Sequence, residues 1–149
     1  MLLVLDSGPL GMLSNPEMSR LSQEADEWAM DRQRAGDQLA VPEIADYEIR
    51  RELLRAGKEL SITRLDELCA GLEYLPLTTE VMHDAASLWA DARNAGRPTA
   101  HPHALDGDVI LAAQARSAQI ELARGPVVVA TTNVAHLARY TDARLWTDI

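Results

Sequence analysis

"MLLVLDSGPLGML", residues 1–13, is the stretch on which the fold turns. Met1-Leu2-Leu3-Val4-Leu5 is short, apolar at every position, and stopped by Asp6-Ser7-Gly8-Pro9. A strand with one face in water alternates apolar and polar residues; a strand buried on both faces does not. The run therefore predicts a doubly buried strand, with a layer packed above it and another below. Asp6 stands at the tip of that strand. After a strand, Asp-Ser-Gly is ordinary turn chemistry, because Asp accepts backbone N–H groups and Gly permits the bend. The same arrangement also displays a carboxylate at the edge of a sheet.

Working outward, "QLAVP" (38–42), "YLPLT" (74–78) and "PVVVATT" (126–132) are further short apolar runs, and "ARLWTDI" (143–149) is a candidate last strand. Helical periodicity fills the intervals. From Pro16 a stripe of Met18, Leu21, Ala25, Trp28 and Ala29 runs to Gly36. From Pro42, "EIADYEIRRELLRA" carries Ala45, Ile49 and Leu53 at i+4 spacing and reaches Gly57. Ser61 is the expected cap of a helix with Ile62, Leu65, Leu68, Cys69 and Leu72. Thr79 is the expected cap of one with Val81, Ala85, Leu88 and Ala92 inward and Gly96 at its end. "RPTAHPHAL" (97–105) has two prolines and no period, and reads as a loop. "DGDVILAAQARSA" is helical and apolar almost all round after Asp108, the mark of a buried helix. "NVAHLAR" is a short helix. Strands alternating with helices predict an α/β fold: a three-layer α/β/α sandwich with a mainly parallel central sheet, one domain over 1–149. Ligand sites in such sheets lie beyond the carboxyl ends of the strands, where Asp6, Thr131, Thr132 and Asn133 fall.

Composition narrows the class. Of 149 residues 47% are hydrophobic, which supplies a core, and the absence of Phe makes that core aliphatic. Cys69 is the only cysteine, so an internal disulfide and a cysteine metal cluster are both excluded, and a cytoplasmic setting fits. No apolar run approaches the roughly 20 residues of a membrane span. A net charge of −9 argues against a broad basic surface that coats nucleic acid. It leaves room for an enzyme whose carboxylates are neutralised by metal ions.

Three acids are candidates for such a site. Asp6 ends the first strand. Asp108 leads directly into Val109-Ile110-Leu111, where an unpaired charge near the core is costly and a cation partner would offset it. Glu48 lies at the margin of an apolar stripe, though it also suits exposed pairs with Arg51 or Arg55. Asp106 reads most simply as a helix cap. Clustered carboxylates repel one another unless a cation is present, and oxygen-only ligands suit Mg²⁺ or Mn²⁺. Such an ion activates water and stabilises charge on a phosphodiester, which is nuclease chemistry.

In this order and spacing, "LVLDSGPL", "VPEIADYEIRREL", "LDGDVILAAQA" and "VVVATTNVAHLARY" resemble the PIN domain, and within it the VapC-like toxins of bacterial toxin–antitoxin pairs. The resemblance spans the chain. It implies a Mg²⁺- or Mn²⁺-dependent endoribonuclease, with Asp6, Glu48 and Asp108 as catalytic acids and metal ligands and Asp106 as an accessory ligand. Asn133 falls where the family often has a fourth acid. A neutral amide holds a cation less well, and Asn133 would instead orient a water or a phosphate oxygen. Ser7 replaces the usual Thr beside the first Asp. Ser7 and Thr132, or Thr131, would support the site by hydrogen bonds. The implied partners are an RNA substrate, a cognate antitoxin protein and a second copy in a homodimer, with no membrane.

Among the cations, Arg50, Arg51, Arg55 and Lys58 follow Glu48 on one helix, and Arg93 and Arg97 precede the loop. Arg51 and Arg55 are the candidates for RNA phosphate contacts, Arg51 because it lies three residues after Glu48. His101-Pro102-His103 invites a zinc reading, but no Cys or second His pair accompanies it; His83 and His136 read as surface or packing residues. Phosphoryl-transfer enzymes of the haloacid dehalogenase type want D-x-D, and Gly8 stands in the place of the second Asp. "SGPLG" lacks the spacing of a dinucleotide loop. The competing reading of another class is a non-catalytic PIN-like protein–protein interaction module, which Asn133 favours and the three acids oppose.

Overall fold

The computed structural model describes residues 1–17, 19–96, 102–122 and 125–149, with residues 102–105 described by their backbone alone. Among these, β1 (Leu2–Leu5), β2 (Gln38–Pro42), β3 (Glu73–Leu75), β4 (Val127–Thr131) and β5 (Ala143–Leu145) form one sheet. Its order is β3-β2-β1-β4-β5 and every pairing is parallel. The opening run is the central strand: Leu3 pairs with Leu39 on one side and Val128 on the other.

Burial on both faces follows the alternation of side chains along a strand. Leu3, Leu5, Leu39, Val41, Val128 and Ala130 point into one core, with α1 (Ser7–Leu13), α2 (Arg20–Arg34) and α4 (Glu59–Gly71) closing it through Leu10, Leu13, Ala25, Ala29 and Leu65. Leu2, Val4, Ala40, Val127 and Val129 point into the other, closed by Leu111, Ala115 and Ala118 of α6 (Pro102–Glu121) and Leu137 of α7 (Val134–Leu137). The helix α3 (Glu43–Arg55) lends Ala45 to the first core and Ile44 to the second. Outside α6 lies α5 (Thr79–Asn94), whose Val81 and Ala85 meet Val109 and Ala113. The three-layer sandwich expected from the sequence is the architecture observed. No helix of the described residues is long and apolar enough to cross a membrane.

The expectations fail mainly at helix starts. The Asp6-Ser7-Gly8-Pro9 segment is not a turn: it opens α1, with Asp6 as the N-cap accepting the Ser7 N–H. Pro9 sits in the first turn, where its missing N–H has no intrahelical partner to lose. The next helix begins at Arg20 rather than Pro16, capped by the Ser19 hydroxyl, which accepts from Ser22 N at 3.2 Å. Ser61 lies inside α4, which begins at Glu59, and the cap of α5 is Thr78 rather than Thr79. The helix α6 begins at Pro102, so the second half of the expected loop is helical and Asp106 is not a cap; Pro is favoured at a first helical position. Met18, Arg97, His101 and the side chain of His103 lie outside the described residues, and the zinc question falls with them.

Candidate active site

The strand order reverses at β1, which has β2 on one side and β4 on the other. Beyond the carboxyl ends of strands at such a reversal, the connections leave in opposite directions and open a crevice. A cleft of about 210 Å³ lies there, lined by Asp6, Ser7, Glu48, Gly107, Asp108, Thr132, Asn133 and His136. Three separated elements deliver the acids: the end of β1 brings Asp6, the middle of α3 brings Glu48, and the second turn of α6 brings Asp108.

Each acid is held. Asp6 Oδ1 accepts the Ser7 N–H at 2.6 Å, and Asp6 Oδ2 accepts the Thr131 hydroxyl at 2.6 Å. Thr131 is fully buried, and its Oγ1 also accepts the Asn133 N–H at 2.9 Å. The Ser7 hydroxyl lies 3.4 Å from Asp6 Oδ1 and within hydrogen-bonding reach of Glu48. Glu48 Oε1 lies so close to the α6 backbone that a Cβ on Gly107 would stand 2.6 Å from it. Asp108 Oδ2 faces His136 Nδ1 at 3.5 Å.

The acids also act on one another. Burial raises the Glu48 carboxyl above its ordinary value, and the charges of Asp6 and Asp108 add to the rise; Arg51 and the Ser7 hydrogen bond oppose it. Burial likewise raises Asp108, with His136 pulling it down and Asp6 pushing it up. Half-buried carboxylates that disfavour each other's charge form a site that gains from a cation. Among the described residues no three His, Cys, Asp or Glu side chains stand close enough to cage a metal ion by themselves. The donor chemistry of Asp6, Glu48 and Asp108 nevertheless fits a hard divalent ion, which takes oxygen ligands and keeps several waters.

The remaining candidates divide. Thr132 lines the cleft and packs on Gly8, where a Cβ would stand 2.7 Å from its Oγ1, but the hydroxyl that meets Asp6 belongs to Thr131. Asp106 is not brought into the cleft; it borders an apolar groove with Met82, Trp89 and Ile110. Two residues along a helix are about 200° apart, so Asp106 and Asp108 face opposite ways. Arg51 stacks over Tyr47, its Cζ 5.1 Å from the ring centroid. Arg55 is tied to Glu52 at 2.8 Å, and Arg50 to Asp46 at 2.9 Å and Asp66 at 2.7 Å. His136, which the sequence reads as a surface or packing residue, also lines the cleft; one His in a four-residue helix carries no periodic signal.

The fold and cleft together define a three-layer α/β/α protein with an all-parallel sheet and an acid-lined crevice at its switch point. Chains of two solved structures have this fold. One is VapBC2 from Rickettsia felis bound to a DNA fragment from their promoter, at 14% identity, TM-score 0.68, covering 97% of this chain and 98% of that one. The other is VapBC-1 from nontypeable Haemophilus influenzae, at 18% identity, TM-score 0.68, covering 99% of each chain. No family model and no curated protein matches the sequence.

Proposed function

We propose that this chain is a Mg²⁺- or Mn²⁺-dependent endoribonuclease, the VapC-like toxin of a toxin–antitoxin pair. One observation carries the reading: Asp6, Glu48 and Asp108, far apart in sequence, line a single cleft beyond the carboxyl ends of a parallel sheet. The end-to-end likeness in fold to the two VapBC structures supports it.

In this reading Asp6, Glu48 and Asp108 hold the metal, which when bound polarises water and offsets charge on the scissile phosphate. Thr131 and Ser7 fix the Asp6 carboxylate in one orientation. Thr132 and Asn133 line the mouth of the cleft, the Asn133 amide aligning a water or a phosphate oxygen. Arg51, beside Glu48 and not engaged with a carboxylate at salt-bridge distance among the described contacts, is the better of the two candidate phosphate contacts. Arg55 is held by Glu52. The partners are RNA, an antitoxin and a second copy of the chain. A groove lined by Gly11, Pro16, Leu53 and Leu60, with Leu60 74% exposed, supports a protein partner. The setting is cytoplasmic.

Purified total RNA incubated with the protein and Mg²⁺ or Mn²⁺ tests this. Cleavage is expected, abolished by EDTA and lowered about 100-fold or more by Asp6→Asn and Asp108→Asn. Asn keeps an N-cap acceptor, so Asp6→Asn spares the start of α1. Wild-type protein that binds Mn²⁺ but cuts no RNA would reject the ribonuclease reading. Protein that neither binds Mn²⁺ nor cuts would favour the interaction module, which the Asn133 amide supports.

A further inference from the structure

We infer that His136 is a positioning residue for Asp108, and that the β4–α7 corner sets the spacing of Asp6 and Asp108. The inference rests on the metal-binding reading above. It begins from a continuous path. Asp6 Oδ2 accepts the Thr131 hydroxyl, and Thr131 Oγ1 accepts the Asn133 N–H. Asn133 is the residue before α7, and His136 Nδ1 on that helix faces Asp108 Oδ2 at 3.5 Å. One short segment, residues 131–136, thus touches both Asp6 on β1 and Asp108 on α6.

The segment is anchored at each end. Thr131 is fully buried in the sheet, and Leu137, next to His136, is 1% exposed in the core against α6. The imidazole is therefore carried on a fixed corner rather than on a loose loop. Its Nδ1 stands beside Asp108 Oδ2, so that an N–H there would donate to that oxygen. Hydrogen bonds behind metal-binding carboxylates fix the rotamer that ligation needs, and their loss commonly weakens metal affinity by about 10- to 100-fold. Thr131 performs that service for Asp6 and His136 for Asp108.

Mn²⁺ titration by calorimetry on the intact protein tests the assignment, with thermal melts as the check on folding. The variants are His136→Ala, His136→Asn and His136→Gln. Asn places an amide N–H near the position of Nδ1; Gln places it near Nε2. His136→Ala is expected to bind Mn²⁺ at least about 10-fold more weakly. His136→Asn is expected to recover most of that loss, and His136→Gln is expected not to. Equal affinity in wild type and His136→Ala overturns the assignment while leaving the metal site standing. Equal weakening in Ala and Asn overturns it too, since the ring's bulk rather than its donor would then matter. No Mn²⁺ binding by the wild type overturns the metal-dependent reading and this inference with it.

Discussion

At Gly107 a methyl group would stand 2.6 Å from Glu48 Oε1. Alanine favours a helix over glycine by up to about 1 kcal/mol, so Gly107→Ala is expected to hold or raise stability. It is also expected to displace the Glu48 carboxylate and lower RNA cleavage. Melting temperature and cleavage rate, measured on one preparation, should move in opposite directions; parallel movement would mean that Glu48 does not need this approach. The acids themselves carry a pH signature. Glu48 and Asp108 titrate above their ordinary values in the folded chain. Between the ordinary and the raised value the folded state holds more protons than the unfolded one, so stability falls as pH rises through that window and stays low above it. Glu48→Gln and Asp108→Asn should therefore raise the melting temperature of the metal-free protein at about pH 7.5 and have little such effect near pH 3, below the ordinary carboxylate values. Melts in EDTA at the two pH values check this, and an unchanged melt at the higher pH would contradict the repulsion.

Among the elements, α3 and α6 matter most, because they present Glu48 and Asp108 to each other. Gln114 keys them together. It is 1% exposed; its Oε1 accepts the Ile44 N–H at 3.3 Å and its Nε2 donates to the Leu75 carbonyl. One amide thus joins α6 to the start of α3 and the end of β3. Gln114→Leu keeps the volume but leaves a buried N–H and a buried C=O unpaired, at a cost of about 1–3 kcal/mol for each group. Urea unfolding should report that loss, and a near-wild-type midpoint would show that the bridge is dispensable. The elements also show what a sequence exposes. β1, β2 and β4 were legible because a strand buried on both faces is apolar at nearly every position. Asp108 was legible because a charge before an apolar helix needs a reason. The helix α1 was not, since Gly8, Pro9 and Gly11 all read as breakers. Gly8 is there because Thr132, 124 positions later in the chain, leaves no room for a Cβ. His136 was missed for a related reason: its partner Asp108 lies on another helix, and no local pattern links them.

Over the whole molecule, the charge of −9 sits awkwardly with an RNA substrate. Many cations are already paired: Arg50, Arg55, Arg64 and Arg144 all lie within 3 Å of a carboxylate oxygen. In the ribonuclease reading proposed above, affinity for RNA would then come from few contacts near the cleft and depend only weakly on salt. Arg51→Ala is expected to weaken RNA binding several-fold and to flatten the salt dependence by about 0.7 in log–log slope, the value for one single-strand phosphate. Arg55→Ala is expected to do less. Binding isotherms at several salt concentrations distinguish the two, and a steep slope untouched by Arg51→Ala would place the RNA elsewhere.

The bond between Thr131 and Asp6 joins residues 125 positions apart. A ribosome makes Asp6 well before it makes Thr131. Until β4 emerges, the central strand lacks one neighbour, Asp6 lacks the hydroxyl that holds it, and the corner that carries His136 does not exist. A copy still being translated, or one cut short by a premature stop, contains Asp6 and Glu48 without the means to align them. In the ribonuclease reading proposed above, the order of synthesis keeps each unfinished copy inert beside the message that encodes it.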